Sequence, residues 1–150
     1  EILHYDDSNK NATIVGDLTK PETLPKERID CFICTQTLNF IFDVPKAIEG
    51  SYKVLKQGGV LLCTVSGISQ ISRYDMDRWG DYWRFTDLSI RKLMESVFGE
   101  GHVEIVTFGN ALAATAFLQG LAVDDLPDTF LLDKKDQDYQ ITIGIKATKC

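Results

Sequence analysis

The chain has 150 residues, of which 44% are hydrophobic and 25% charged, with a net charge of −6. That balance can build the core of a single domain without disulfide staples, and it excludes intrinsic disorder. The apolar runs are too short to span a bilayer, and the acidic surplus argues against a general grip on nucleic-acid phosphates.

Residues 2–5, Ile-Leu-His-Tyr, read as a short strand running into the turn cluster Asp6-Asp7-Ser8-Asn9. Residues 12–15 are a second strand, closed by Gly16-Asp17, and Pro21 and Pro25 hold a polar connector. Residues 29–35, Ile-Asp-Cys-Phe-Ile-Cys-Thr, form a nearly continuous apolar run, which suits a strand buried on both faces of a parallel sheet. Asp43 caps a helix with Pro45 in its first turn. Val44, Ala47, Ile48, Tyr52 and Leu55 keep the helical period, and Gly58-Gly59 is the expected stop. Val60 to Val65 is the next strand, which completes a βαβ unit.

Residues 66–85 break the pattern with five aromatics among arginines and aspartates. Thr86 then caps a helix whose expected apolar side is Leu88, Leu93, Met94, Val97 and Phe98, ended by Gly99. Val103 to Phe108 alternates as a strand, 111–121 reads as a core helix and 124–138 as an acidic, solvated loop. Tyr139 to Ala147 is a last alternating strand.

The four cysteines do not read as a disulfide framework. Cys31 and Cys34 spell C-x-x-C, but residues i and i+3 of a strand point to opposite faces, so one metal or redox site is geometrically wrong. Reduced cysteines fit a cytoplasmic setting. His4 and His102 are isolated in sequence, so no nucleophile–base pair or metal cluster emerges and no catalytic residue is assigned.

In an open α/β sheet, ligands bind beyond the carboxyl ends of the strands. Those positions are Asp6 and Asp7, then Gly16-Asp17-Leu18, then Thr35-Gln36-Thr37, then Ser66-Gly67 and the aromatic loop. An acid there accepts hydrogen bonds from hydroxyl or amino groups, and a glycine lets a flat ring approach. Asp6 and Asp17 also read as plain turn acids, and Gln36 and Thr37 as caps for the next segment. For the loop 68–85, one reading is a lid whose aromatics stack on a substrate while Arg73, Arg78 or Arg84 holds an anion. The other is a compact loop packing its own aromatics.

The ordered set Asp30 to Gly67, with Asp43-Val44-Pro45-Lys46-Ala47 and Leu55-Lys56-Gln57-Gly58-Gly59-Val60 inside it, resembles the second half of a class I S-adenosylmethionine-dependent methyltransferase. Gly16-Asp17-Leu18 is similar to the end of that family's third strand, where the acid faces the adenine amino group. Thr35-Gln36-Thr37-Leu38 is similar to the segment beside the methionine part of the cofactor. The final strands resemble the family's antiparallel hairpin at the sheet edge. The resemblance implies a Rossmann-like α/β fold, mostly parallel with an antiparallel edge strand. It implies S-adenosylmethionine as cofactor, held by Asp6, Gly16, Asp17, Leu18, Thr35, Gln36 and Thr37. A small-molecule acceptor would meet Arg73, Tyr74, Trp79, Tyr82 and Trp83, with no nucleic-acid or membrane partner.

One part of the family pattern has no match. No G-x-G-x-x-G or close variant occurs, so the family's first strand, its glycine-rich loop and its first helix are unrepresented. That strand lies mid-sheet, and without it two strand fragments keep unpaired edges. The numbering opens at Glu1 rather than Met. The chain is then part of a longer protein, or it closes the gap by re-pairing strands, or it forms a homo-oligomer through those edges. The first function expected is methyl transfer to an oxygen, nitrogen or carbon. The second is a non-catalytic remnant or interaction module that keeps half of the fold.

Overall fold

A computed structural model describes residues 1–126 and 128–150. Two short strands, β1 (Leu3–His4) and β2 (Ile14–Val15), pair in parallel as a two-stranded sheet. The main sheet holds β3 (Ile29–Thr35), β4 (Leu55–Ser66), β5 (Val103–Phe108) and β6 (Thr142–Thr148), in the order β3-β4-β6-β5. β3 and β4 are parallel, and β6 is antiparallel to both of its neighbours. The reversed strand therefore lies inside the sheet, between β4 and β5, rather than at its edge as expected.

Helix α1 (Val44–Val54) starts where Asp43 accepts the amide of Lys46 at 3.1 Å, with Pro45 in the first turn. Its buried face is Val44, Ala47, Ile48, Ser51 and Val54. Gly50 lies against the 18–24 connector: a Cβ there would stand 2.2 Å from the Leu18 carbonyl oxygen. The helix ends at Val54, one turn before the expected glycine stop. Leu55 already pairs with Ile29, and β4 then bulges through Lys56–Gly59 before Val60 meets Cys31. Gly58, at φ +74°, sits in that bulge.

Lys149 accounts for the early stop. Its side chain is buried, and its Nζ donates to the carbonyls of Tyr52 (3.1 Å) and Leu55 (2.8 Å). These carbonyls lie at the helix end, where a cation is favoured.

The four-residue helix α2 (Arg73–Met76) interrupts the aromatic loop. Helix α3 (Asp87–Phe98) begins with a reciprocal cap: the Ser89 amide donates to Thr86 Oγ1 at 3.2 Å, and the Thr86 amide donates to Ser89 Oγ at 3.0 Å. It buries Ile90, Met94 and Phe98, whereas Leu88, expected on the core side, is exposed. Leu88 falls in the first turn, off the stripe set by the i, i+4, i+8 positions. Helix α4 (Ala111–Gln119) also departs from expectation: only Ala114 and Ala116 are buried, while Phe117 and Leu118 are exposed. Short 3-10 turns occur at 123–125 and 129–133, within the expected loop.

Helices α1 and α3 cover one face of the main sheet, where Leu61, Cys63, Val65, Ile143, Ile145 and Ala147 are buried. The opposite face leaves Ile33, Leu62, Val106 and Phe108 exposed. β3 is thus not buried on both faces, and Ile33 is 67% exposed. Among the described residues, no strand pairs with its far edge. Gln36 N–H bonds to the Thr64 carbonyl at 2.9 Å, so by alternation the backbone groups of Cys31, Ile33 and Thr35 point away from β4. A cavity of about 660 Å³ separates that edge from β1 and β2. β1 and β2 pair with each other and not with β3. Cys31 is exposed and Cys34 buried, on opposite faces as their spacing requires.

Candidate active site

The carboxyl ends of β1, β2 and β3 open into one cleft of about 680 Å³. Leu3, His4 and Tyr5 form one side, Gly16 to Thr19 the next, and Gln36 and Thr37 the third. Phe40 to Asp43 and two loop residues, Trp79 and Tyr82, complete the wall.

Asp17 is positioned by a local turn. Its Oδ1 accepts the amide and the hydroxyl of Thr19, both at 2.8 Å, and its Oδ2 lies 3.6 Å from Lys20 Nζ. Burial pushes its carboxyl up, but the Thr19 hydrogen bonds and Lys20 outweigh it and hold the group below the usual range. Asp17 is therefore an ionised acceptor at neutral pH. Gly16 serves packing: a Cβ there would meet Leu24 Cδ2 at 2.7 Å, inside the connector rather than in the cleft.

Gln36 holds φ +50°, a left-handed conformation that non-glycine residues seldom adopt. Its side chain is secured across the strand ends: Ser66 Oγ donates to its Oε1 at 2.5 Å, and its Nε2 donates to Thr64 Oγ1 at 3.4 Å. Thr37 Oγ1 donates to the Thr35 carbonyl at 3.0 Å.

The loop after β4 closes on itself, with the Phe85 amide on the Ser66 carbonyl at 2.8 Å. Arg84 staples its interior. All five of its N–H groups are used: on Asp81 (2.6 and 2.9 Å) and on the carbonyls of Ser69, Gln70 and Trp83. Asn39 then anchors the loop over the cleft, its carbonyl accepting the amides of Tyr82 (2.9 Å) and Trp83 (3.2 Å). Trp83 Nε1 donates to the Ile41 carbonyl at 3.1 Å.

Of the residues singled out from sequence, Gly16, Asp17, Leu18, Gln36, Thr37, Trp79 and Tyr82 meet in this cleft. Asp6, Thr35, Arg73, Tyr74 and Trp83 do not line it. Asp6 turns into its own loop, where hydrogen bonds from Ser8 hold its carboxyl down to about 2 and His4 Nδ1 stands 3.1 Å away. Arg73 reaches Met76 Sδ, and Tyr74 lies beneath the Arg78 guanidinium. Of the three arginines read as an anion clamp, none lines the cleft, and Arg84 has all five N–H groups used inside its own loop. Trp83 lies behind Phe42, ring centroids 5.9 Å apart.

The wall residues Phe40, Ile41 and Phe42 were not anticipated. The signal was present: Leu38, Phe40, Ile41 and Phe42, interrupted by Asn39 alone, are apolar residues that neither the preceding strand nor the following helix consumes. His4 and Tyr5 carry no site signal in the sequence beyond their place at the end of the 2–5 strand. Among the described residues, no group of three or more His, Cys, Asp or Glu side chains is placed to hold a metal ion, and no helix is long and apolar enough to cross a membrane.

The family model described as "Methyltransferase domain" matches residues 3–63. No curated relative matches the chain. Among solved structures, it is similar to the Haemonchus contortus phosphoethanolamine N-methyltransferase 2 in complex with S-adenosyl-L-methionine. There the TM-score is 0.54 at 16% identity, covering 90% of this chain and 36% of that one. A Thermotoga maritima S-adenosylmethionine-dependent methyltransferase gives 0.53 at 16% identity, covering 85% and 58%. An Archaeoglobus fulgidus methyltransferase of the same dependence gives 0.58 at 10% identity, covering 98% and 74%. The chain spans less than two thirds of the Haemonchus and Thermotoga proteins. The fold is that of the class I Rossmann-like methyltransferases, and residues 3–63 carry the match to their methyltransferase-domain family.

Proposed function

We propose that the cleft binds S-adenosylmethionine beside a small-molecule acceptor and supports methyl transfer to its oxygen, nitrogen or carbon. One observation carries this reading: in a chain of this fold, polar strand-end residues and loop aromatics meet in a single cleft. The volume lies within the range of small-ligand sites. The residues present fit the cofactor's chemistry. Asp17 is an ionised acceptor suited to hydroxyl or amino groups, Leu3, Leu18 and Ile41 offer apolar surface, and the aromatics suit a sulfonium. Bound S-adenosylmethionine supplies an electrophilic methyl group. The chain's own contribution is positional: Gln36 and Thr37 shape the floor, and Trp79 and Tyr82 exclude water and align the acceptor.

Calorimetric titration with S-adenosylhomocysteine tests this. Micromolar binding, weakened at least tenfold by Asp17→Ala (a factor of ten being about 1.4 kcal/mol), is the expected result. Absence of heat at millimolar ligand would overturn it.

A second reading, an interaction module without turnover, has its own support. The free edge of β3 lies beside Ile33 and Leu62, which stand side by side and exposed on the uncovered face of the sheet, their row ending in the Lys146–Glu104 ion pair. Stoichiometric cofactor binding with no methyl transfer to any acceptor would favour it.

A further inference from the structure

The aromatic end of the cleft differs chemically from its strand-end side. Phe42 and Tyr82 pack edge to face with centroids 5.4 Å apart, and Tyr82 Oη donates to the Trp79 carbonyl at 3.3 Å. All three rings remain largely exposed, at 69% for Phe42, 51% for Trp79 and 48% for Tyr82. Exposed aromatic clusters of this kind mark binding surfaces. The face of each ring carries negative charge density and attracts a cation. The adjoining loop already uses that attraction, with the Arg78 guanidinium carbon 3.4 Å from the Tyr74 ring centroid.

The charges around the cleft agree with a cationic guest. Asp17 and Asp43 contribute carboxylates, and no Lys or Arg occurs among the described lining residues. The cations that flank lining residues have partners of their own. Arg84 has no N–H left, Lys46 pairs with Glu49 at 2.8 Å, Arg78 lies over Tyr74, and Lys20 stands 3.6 Å from Asp17, where it offsets part of that carboxylate's charge. His4, the one imidazole among the described lining residues, faces Asp6. The N-terminus of α1, otherwise attractive to an anion, is filled by the Asp43 carboxylate.

We propose that this end of the cleft is an organic-cation site, which takes a protonated or quaternary alkylamine and turns away phosphates and carboxylates. Its role as acceptor pocket rests on the methyltransferase reading above, and there a protonated amine reacts only after giving its proton to water, which frees the nitrogen lone pair; the binding itself rests on the rings and charges described here.

The test compares choline with 3,3-dimethylbutan-1-ol, an uncharged molecule of the same shape. Both are titrated into the full chain and followed by calorimetry and tryptophan fluorescence, with inorganic phosphate as the anionic probe. Choline should bind saturably and perturb the emission, and the alcohol should bind at least tenfold more weakly. Phosphate should neither bind nor compete. Asp43→Asn keeps a good helix cap while removing the charge; it should weaken choline at least threefold and leave the alcohol unchanged. Trp79→Phe should abolish the fluorescence change. No choline binding, equal binding of choline and the alcohol, or tighter binding of phosphate would each overturn the proposal. S-adenosylhomocysteine titrated in parallel separates the two readings. Cation discrimination without nucleoside binding removes the methyltransferase reading alone, and nucleoside binding without cation discrimination removes this site alone.

Discussion

Arg84 and Asp81 form a two-pronged ion pair, Nη1 to Oδ1 at 2.6 Å and Nη2 to Oδ2 at 2.9 Å, with the Asp81 side chain 1% exposed. The pair is the centre of the loop that brings Trp79 and Tyr82 to the cleft. A fork of five fixed donors is what this site uses, and an ammonium cannot replace it. Arg84→Ala should cost about 2–4 kcal/mol of loop stability, because it strands a buried carboxylate and three carbonyls. Arg84→Lys should recover less than half of that. Limited proteolysis within 68–85, run beside thermal unfolding, reads the effect.

The same pair carries a pH dependence. The Arg84 hydrogen bonds pull the Asp81 carboxyl below its ordinary range, against the opposing push of burial. A depressed acid stabilises the fold above its unfolded value, near 3.9. Its contribution should be full above about pH 5 and fall away as acid passes below that value. Arg84→Ala should flatten this part of the stability curve between about pH 5 and pH 2.

Gly50→Ala sets two effects against each other. Helix propensity favours alanine by roughly 0.5–1 kcal/mol. The new Cβ, however, would stand 2.2 Å from the backbone carbonyl of Leu18, which no rotamer change relieves. Overpacking of that kind costs typically 1–3 kcal/mol, so the variant should be less stable despite its better helix former. Chemical denaturation gives the sign directly.

Lys149→Ala should destabilise by about 1.5–3 kcal/mol, the range for hydrogen bonds to a charged group. It would leave the Tyr52 and Leu55 carbonyls without their Nζ donor. Amide exchange should quicken at the end of α1 before it changes in α3.

The free edge of β3 should make the chain self-associate as concentration rises. Ile33→Lys places a charge on that edge at a position outside the core, so its effect on unfolding should stay within about 0.5 kcal/mol. Sedimentation velocity should show the variant shifted toward monomer. An unchanged distribution would remove edge pairing as the cause.

Much of the fold was legible from local pattern. The bounds of β3 and β5, the Asp43 and Thr86 caps and the Gly99 stop all follow from side chains that act within a few residues of themselves. Asp17, Gln36 and Trp79 were legible as candidates because strand ends are where ligands gather in such sheets. Which candidates share one cleft was not, since Asp6 and Asp17 carry the same local signal and differ only in where their turns point.

Local forces, namely capping, periodicity and turn chemistry, set the longer strands and helices and the loop that breaks their rhythm, but not the short helix α2 inside that loop. The tertiary structure alone decided the rest. It placed β6 inside the sheet, ended α1 at Val54 through a lysine 95 positions beyond it (149 against 54), and left β3 with a free edge. It also spent Arg84 on its own loop instead of a ligand. Each of these depends on contacts between residues far apart in the chain, where the partner that satisfies a carbonyl or a charge cannot be read from the neighbours in sequence.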